Sequence, residues 1–282
     1  QTYAPLLHGA GIFVHGINGF LVGKWLELML VRSFTNERQA VWASWVGATY
    51  FLLHPLQVES VAWVSGLRDL LALSASLIAM LIYFRNIDMW GYWKRYIWAS
   101  VFFIIAVLAK PSAAALPAMM FVIEAFIFEI DAKRAGWRMV PWAVCGIALG
   151  WYTSALQAHE VVLRPEVWQR LLLGFFSAGF YFYKTIVPVG LAVDYALPLD
   201  KILNSNWLVP LAIGIAVLMA AVIWWLEKRN NRILLAALLI FLIGFLPVSG
   251  LVDFSFQRTS QVADRFMYVS LLGVALAIAW IY

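Results

Sequence analysis

Apolar stretches of about 15 to 20 residues follow one another along the whole chain, each close to the length that crosses roughly 30 Å of hydrocarbon as a helix. Isolated strands could not satisfy their backbone in lipid, so the stretches are read as helices. The pattern predicts spans near 19–33, 40–54, 69–84, 97–109, 112–130, 139–157, 207–226, 233–249 and 266–282. Residues 171–187 are apolar enough to cross, but a crossing there would put a charged loop on the wrong side. They read instead as a re-entrant or interfacial aromatic helix, Phe175 through Tyr183, ending at Lys184. Residues 1–18 contain His8, His15 and Asn18 among glycines, too polar for a central span, and are expected to lie along the outer surface as an interfacial helix. The expected fold class is all-α: one polytopic transmembrane helical bundle over 1–282, with interfacial or re-entrant helices on its outer face.

Composition supports this reading. Hydrophobic residues make up 64% and charged residues 12%, with a mean hydropathy of +0.84. A soluble domain carries roughly 45–50% apolar and about 25% charged residues. Cys145 is the only cysteine, so neither an internal disulfide nor a thiol-rich metal site is available. The net charge of +5 comes in small clusters between spans, where membrane orientation explains it and nucleic-acid binding is not expected. The chain opens on Gln1 without a charged leader and stops within an apolar run, which reads as a piece of a longer polypeptide.

One set of connections holds Arg32, Arg38, Arg85, Lys94, Arg95, Lys133, Arg134, Arg138, Lys228, Arg229 and Arg232, and the positive-inside rule makes it cytoplasmic. The opposite set carries Arg68, Lys110, Arg164, Arg170, Lys184, Lys201, Arg258 and Arg265. Against these stand Glu59, Asp69, Glu160, Glu166, Asp194, Asp200, Asp253 and Asp264, so its charge balances. Orientation does not need that balance; pairing or ligand binding does.

Three constellations lie on this outer side. His54 and Glu59 flank a proline turn, with Arg68 and Asp69 opening the next span; they read either as a site where a carboxylate takes a proton or as an ion-pair cap joining two helix ends. Lys110 precedes Pro111 at a helix end and is either an anion ligand or a snorkelling cation. Asp264, Arg265 and Tyr268 stand at the mouth of the last span, where Arg265 offers a planar fork of donors to phosphate or merely marks a helix start with Asp264. Lys24 and Glu27, three apart, are expected to neutralise each other. Glu124 is alone in its helix, facing either a polar partner or the cytoplasmic end. The histidines His8, His15 and His159 have no metal-site spacing.

The ordered blocks HPLQVESVAW and RDLLAL, AKPSAAALP, YKTIVPVGLAVDY, LPVSGL and QVADRFMYVSLLG, preceded by TYAPLLHGAGIFVHGIN, resemble the membrane half of the transmembrane and tetratricopeptide-repeat O-mannosyltransferases and their bacterial relatives, from Tyr3 to about Leu272. The resemblance implies a GT-C glycosyltransferase of the inverting type. It would take a sugar from a polyprenyl-phosphate donor and pass it to a protein or other hydroxyl acceptor on the periplasmic or lumenal face of a multi-pass membrane protein. The family motifs fall on His54, Pro55, Glu59, Ser60 and Val61; on Arg68 and Asp69; on Ala109, Lys110 and Pro111; and on Asp264, Arg265 and Tyr268. Carried over in this way, Glu59, Asp69 and His54 are the supporting catalytic residues. Arg265 and Lys110 are the principal donor-phosphate ligands, with Arg68, Tyr268 and Asp264 beside them, and His54 is expected to orient one of the carboxylates. The principal acid, an acidic pair in the first outer loop of relatives, is expected before residue 1, as is the first span. No repeat of about 34 residues is found here. A divalent cation is compatible with the chemistry, but the carboxylates do not cluster into a metal site. Membrane lipids and partner membrane subunits complete the expected partners. The alternative from another class is a noncatalytic GT-C-like scaffold subunit of a larger assembly. A transporter is disfavoured, because no two-half repeat is visible and the charge gathers on one face.

Overall fold

The computed structural model describes residues 4–85, 91–156, 165–252 and 255–282. Its described residues form twelve α-helices joined by short 3₁₀ turns, without strands. The helices are α1 (Ala4–Leu30), α2 (Glu37–Leu53), α3 (Val58–Ala62), α4 (Leu67–Arg85), α5 (Tyr92–Ala109), α6 (Leu116–Val122), α7 (Ala132–Leu156), α8 (Val167–Ile186), α9 (Leu199–Leu203), α10 (Leu208–Lys228), α11 (Arg232–Phe245) and α12 (Leu271–Ile281). Three stretches are long and apolar enough to cross a membrane, Pro5–Leu30, Val64–Arg85 and Leu208–Lys228, which is compatible with a membrane protein.

These three differ in what surrounds them. The 18-residue apolar core of Val64–Arg85 is 61% buried, making α4 the central post of the bundle, whereas that of Leu208–Lys228 is 11% buried. Helix α10 exposes Ile213, Val217, Leu218 and Trp224, an apolar surface that hydrocarbon rather than water would cover. Around α4 the packing runs from α5 through α4, α1 and α2 to α12 and α11, with α8 and α10 paired outside. Trp25, Leu26, Phe51, Leu70, Leu73, Leu77 and Leu276 are fully buried along this seam.

The first helix corrects the separation of 1–18 from 19–33, because α1 runs through residue 18 without a break. The polar groups that suggested an interface are satisfied inside the bundle. Asn18 Nδ2 donates to the Leu70 carbonyl (2.9 Å) and to the Tyr268 hydroxyl (3.0 Å), and Ser74 Oγ donates to Asn18 Oδ1 (2.6 Å). The His15 ring bonds the Tyr268 hydroxyl at 2.9 Å and the Leu52 carbonyl at 3.1 Å. Buried polar side chains are tolerated when they are hydrogen-bonded in this way. The last span is also shorter than expected: Asp264–Met267 form a separate 3₁₀ turn, and α12 begins only at Leu271.

The close seam between α11 and α12 depends on Gly273. A Cβ there would meet the Ala237 carbonyl oxygen and the Phe241 backbone nitrogen, neither of which can rotate away. Gly273→Ala is therefore expected to cost about 1–3 kcal/mol, read as a lowered thermal unfolding midpoint in detergent, while Gly136→Ala, inside α7 and meeting open space, does not lower that midpoint.

Helix α8 is one unbroken helix with both ends at the same end of the bundle. Near its start Arg170 donates to the Leu251 carbonyl (3.3 Å), and near its finish the Thr185 carbonyl bonds His54 Nε2 (3.1 Å). Leu251 follows α11, and His54 closes α2. The opposite end of the bundle gathers basic residues: Arg32 lies 4.8 Å from the Phe128 ring, Arg138 pairs with Glu124, and Arg232 pairs with Glu129.

Candidate functional site

At the end of the bundle that holds His54, the chain after α2 cannot continue as one helix because Pro55 follows an extended His54 (ψ 129°). Pro55–Gln57 make a 3₁₀ turn and α3 starts at Val58, which turns Glu59 inward in the first helical turn. From the other side of the chain comes the 3₁₀ turn Asp264–Met267. Its approach is fixed by buried amides: Gln261 Nε2 donates to the Ser249 carbonyl (2.7 Å) and to Ser177 Oγ (3.1 Å), Gln257 Nε2 donates to Gln261 Oε1 (2.9 Å), and the Tyr181 hydroxyl accepts from the Ala263 N–H (3.1 Å).

The two segments meet through charge. One Glu59 oxygen pairs with the Arg265 guanidinium, and the other accepts the Arg265 backbone N–H at 2.7 Å. The guanidinium carbon lies 4.1 Å from the Phe256 ring, 4.8 Å from Trp63 and 5.0 Å from Phe266, an aromatic cage that suits a desolvated cation. Asp264 turns the other way, accepting from the Tyr195 hydroxyl (2.6 Å) and the Ala192 N–H (3.2 Å). Burial pushes the Glu59 carboxyl above its ordinary 4.5 against the opposing Arg265 bonds, and it pushes Asp264 above 3.8 against those from Tyr195 and Ala192. The Tyr195 phenol is raised as well, first by burial and then by Asp264, so it remains a donor.

Glu59 and Asp264 line one open cleft of ≈ 530 Å³, together with Pro55, Val58, Trp63 and residues 191–193. Its rim is apolar and exposed at Val58 and Val193. Arg265 sits behind Glu59 and Trp63, its side chain 13% exposed.

The remaining predicted residues fall elsewhere. Lys110 pairs with Asp69, and both line a separate cavity of only ≈ 20 Å³. The Phe266 ring links the two ion pairs, with Lys110 at 5.8 Å and Arg265 at 5.0 Å, but Lys110 lines that small cavity and Arg265 does not. His54 does not orient a carboxylate. Its Nε2 bonds the Thr185 carbonyl, and its Nδ1 accepts the Leu56 N–H at 3.3 Å, so the imidazole ties α2 to α8. Arg68 is exposed and donates to the nearby Ser65 carbonyl (3.5 Å), away from the cleft. Tyr268 is fully buried in the Asn18 and His15 network and cannot reach a ligand in the cleft. Lys24 and Glu27 do pair, at 2.8 Å. His159, Glu160, Arg164 and Asp253 lie outside the described residues, as does the Arg258 side chain.

Sequence reasoning placed Lys184 among the outer-side charges without giving it a site role, and it did not single out Tyr195. Lys184 is 7% exposed at the end of α8, and its ammonium donates to the carbonyls of Val189 (2.6 Å) and Gly190 (3.1 Å). Gly190 takes φ +60°, which turns this segment back so that Ala192 and Tyr195 reach Asp264. A lone lysine ending an aromatic helix was the available signal. Lys184→Met should cost about 1–3 kcal/mol by leaving these carbonyls unpaired. The expected readout is faster amide exchange across residues 189–195, with protection in α4 unchanged.

A divalent cation does not suit the carboxylates as arranged, because their oxygens are committed to Arg265, Tyr195 and the Ala192 N–H. No group of three His, Cys, Asp or Glu side chains assembles among the described residues. No family model, curated protein or solved structure matches this chain.

Proposed function

We propose that the chain is the membrane body of a glycosyltransferase of the GT-C type, with the Glu59 cleft on the non-cytoplasmic face holding the phosphate of a polyprenyl-linked sugar. The observation that carries this reading is the Glu59 and Arg265 pair at the back of a cleft with an exposed apolar rim. An isoprenoid chain can approach over Val58 and Val193 while its phosphate moves toward the guanidinium.

The Glu59 bond uses one terminal nitrogen of Arg265, and a guanidinium has five N–H donors in a fixed fork. An incoming phosphate competes with Glu59 for that fork. As it takes Arg265, one Glu59 oxygen is released, while the other stays on the Arg265 backbone N–H. Burial raises the proton affinity of the released carboxylate, which suits a general base. The acceptor oxygen bonds to the anomeric carbon as the bond from that carbon to the phosphate oxygen breaks. The bonding pair leaves with the phosphate beside Arg265, and the hydroxyl proton passes to Glu59. Asp264, held by Tyr195 and Ala192, positions the turn that carries Arg265. Lys110 and Asp69 brace the neighbouring helices, and Phe266 lies between the two pairs. The acceptor is a protein or another hydroxyl compound.

Full-length protein reconstituted in liposomes with a labelled prenyl-phosphate sugar tests the reading. Transfer that depends on Arg265 supports it. Donor binding without transfer, unchanged by Arg265→Gln, points to a noncatalytic scaffold within a larger membrane assembly.

A further inference from the structure

The opposite, basic end of the bundle contains a cavity of ≈ 170 Å³, lined by Tyr83, Arg95, Glu124, Phe128 and Arg138 among others. That volume is several times the ~30 Å³ share of one liquid water. Glu124 is its buried floor, 1% exposed. One of its oxygens accepts from the Tyr83 hydroxyl (2.7 Å) and from Arg138 (3.0 Å); the other has no hydrogen-bond partner. Arg95 donates through a terminal nitrogen to the Tyr83 carbonyl (2.8 Å), while its buried Nε has no partner. Buried polar atoms are left unpaired only at a cost, and each calls for an explanation.

The backbone here is unusual as well. Ile123–Ile127 form a turn of π-helix, with the Phe128 N–H reaching back to the Ile123 carbonyl (3.0 Å). The turn leaves Glu124 facing Arg138 and the cavity.

We propose that this cavity holds a phospholipid head group that carries a hydroxyl beside its phosphate, of the phosphatidylglycerol type. Arg95 and Arg138 take the phosphate, and a head-group hydroxyl donates to the open oxygen of Glu124. Charge favours an anion: the lining carries two guanidiniums against one carboxylate, and Arg32 lies 4.8 Å from the lining Phe128 ring. Depth fits too, since Trp93 and Trp137 stand exposed at the starts of α5 and α7, next to Arg95 and Arg138, as aromatic residues do at a membrane interface. The site is at the far end of the bundle from Glu59, so it stands whether or not the chain transfers sugar.

Purified full chain in mixed nanodiscs, with retained lipid counted by native mass spectrometry, tests the proposal. Wild type is expected to keep phosphatidylglycerol over phosphatidylcholine by at least about tenfold, as a charge-assisted bond allows. Arg95→Gln should abolish that preference. Lys94→Gln removes the same charge from an exposed neighbour and should leave it intact. Equal retention of the two lipids by wild type, which needs no variant to fold, overturns the proposal; so does an equal loss in Lys94→Gln and Arg95→Gln, the mark of diffuse attraction. Displacement of the lipid by soluble glycerol 3-phosphate overturns the lipid as the source.

Discussion

Arg265→Gln is expected to lower sugar transfer by about 10²- to 10³-fold, the usual cost of removing one preorganised group that stabilises charge in the transition state. Affinity for the prenyl phosphate should fall with it, because Arg265 pairs with Glu59 of the cleft and is caged by Trp63, Phe256 and Phe266. The glutamine keeps a planar donor but not the charge or the bidentate fork. Arg265→Lys keeps the charge and should recover part of the binding but little of the transfer. Lys110→Gln breaks a pair outside the cleft, so its expected effect is on stability, with phosphate affinity retained. A labelled-donor transfer assay alongside a prenyl-phosphate binding isotherm separates these outcomes.

Glu59→Gln is expected to move binding and transfer in opposite directions. The carboxylate competes with phosphate for Arg265, so removing its charge should tighten prenyl-phosphate binding at pH 7 by about tenfold. Transfer should fall by about 10²-fold or more, the range of a positioned general base. The sign of the pH dependence follows from the burial of Glu59, which raises its carboxyl above 4.5. As pH falls from neutral through that raised value, protonation weakens the Glu59 hold on Arg265, so wild-type affinity for prenyl phosphate should climb. In Glu59→Gln the Glu59 part of that climb is absent. Binding isotherms across this window are read as the wild-type change relative to that of Glu59→Gln, because the phosphate itself titrates with a second pKa of about 6, and identical pH profiles for the two proteins would contradict the competition.

Part of the helix pattern was legible, because apolar run length is a local property: α4, α10 and the start of α11 fall within two residues of where hydrophobicity places them, whereas α5 and α7 begin at Tyr92 and Ala132, well before the predicted 97 and 139, because their first turns carry Lys94, Arg95, Lys133 and Arg134. The continuity of α1 was not legible. Asn18 and His15 look exposed until the partners Leu70, Ser74 and Tyr268 arrive from more than 50 residues away. The site was half legible for the same reason. Residue types marked Glu59, Asp69, Lys110 and Arg265 as costly charges near a membrane, but their pairing is tertiary: Glu59 joins Arg265 and Asp69 joins Lys110, not the adjacent Arg68. Lys184 had no assigned role and Tyr195 was not singled out, because only the folded 187–198 segment brings the Val189 carbonyl to Lys184 and Tyr195 to Asp264.

The most direct test is a structure of the full-length protein with bound polyprenyl phosphate. The account predicts phosphate density within hydrogen-bonding distance of the Arg265 guanidinium, in the cleft lined by Glu59 and Asp264, with the Glu59 carboxylate turned off that guanidinium and the isoprenoid leaving past Val58 and Val193. A phosphate seated elsewhere while Glu59 stays paired with Arg265 would contradict it.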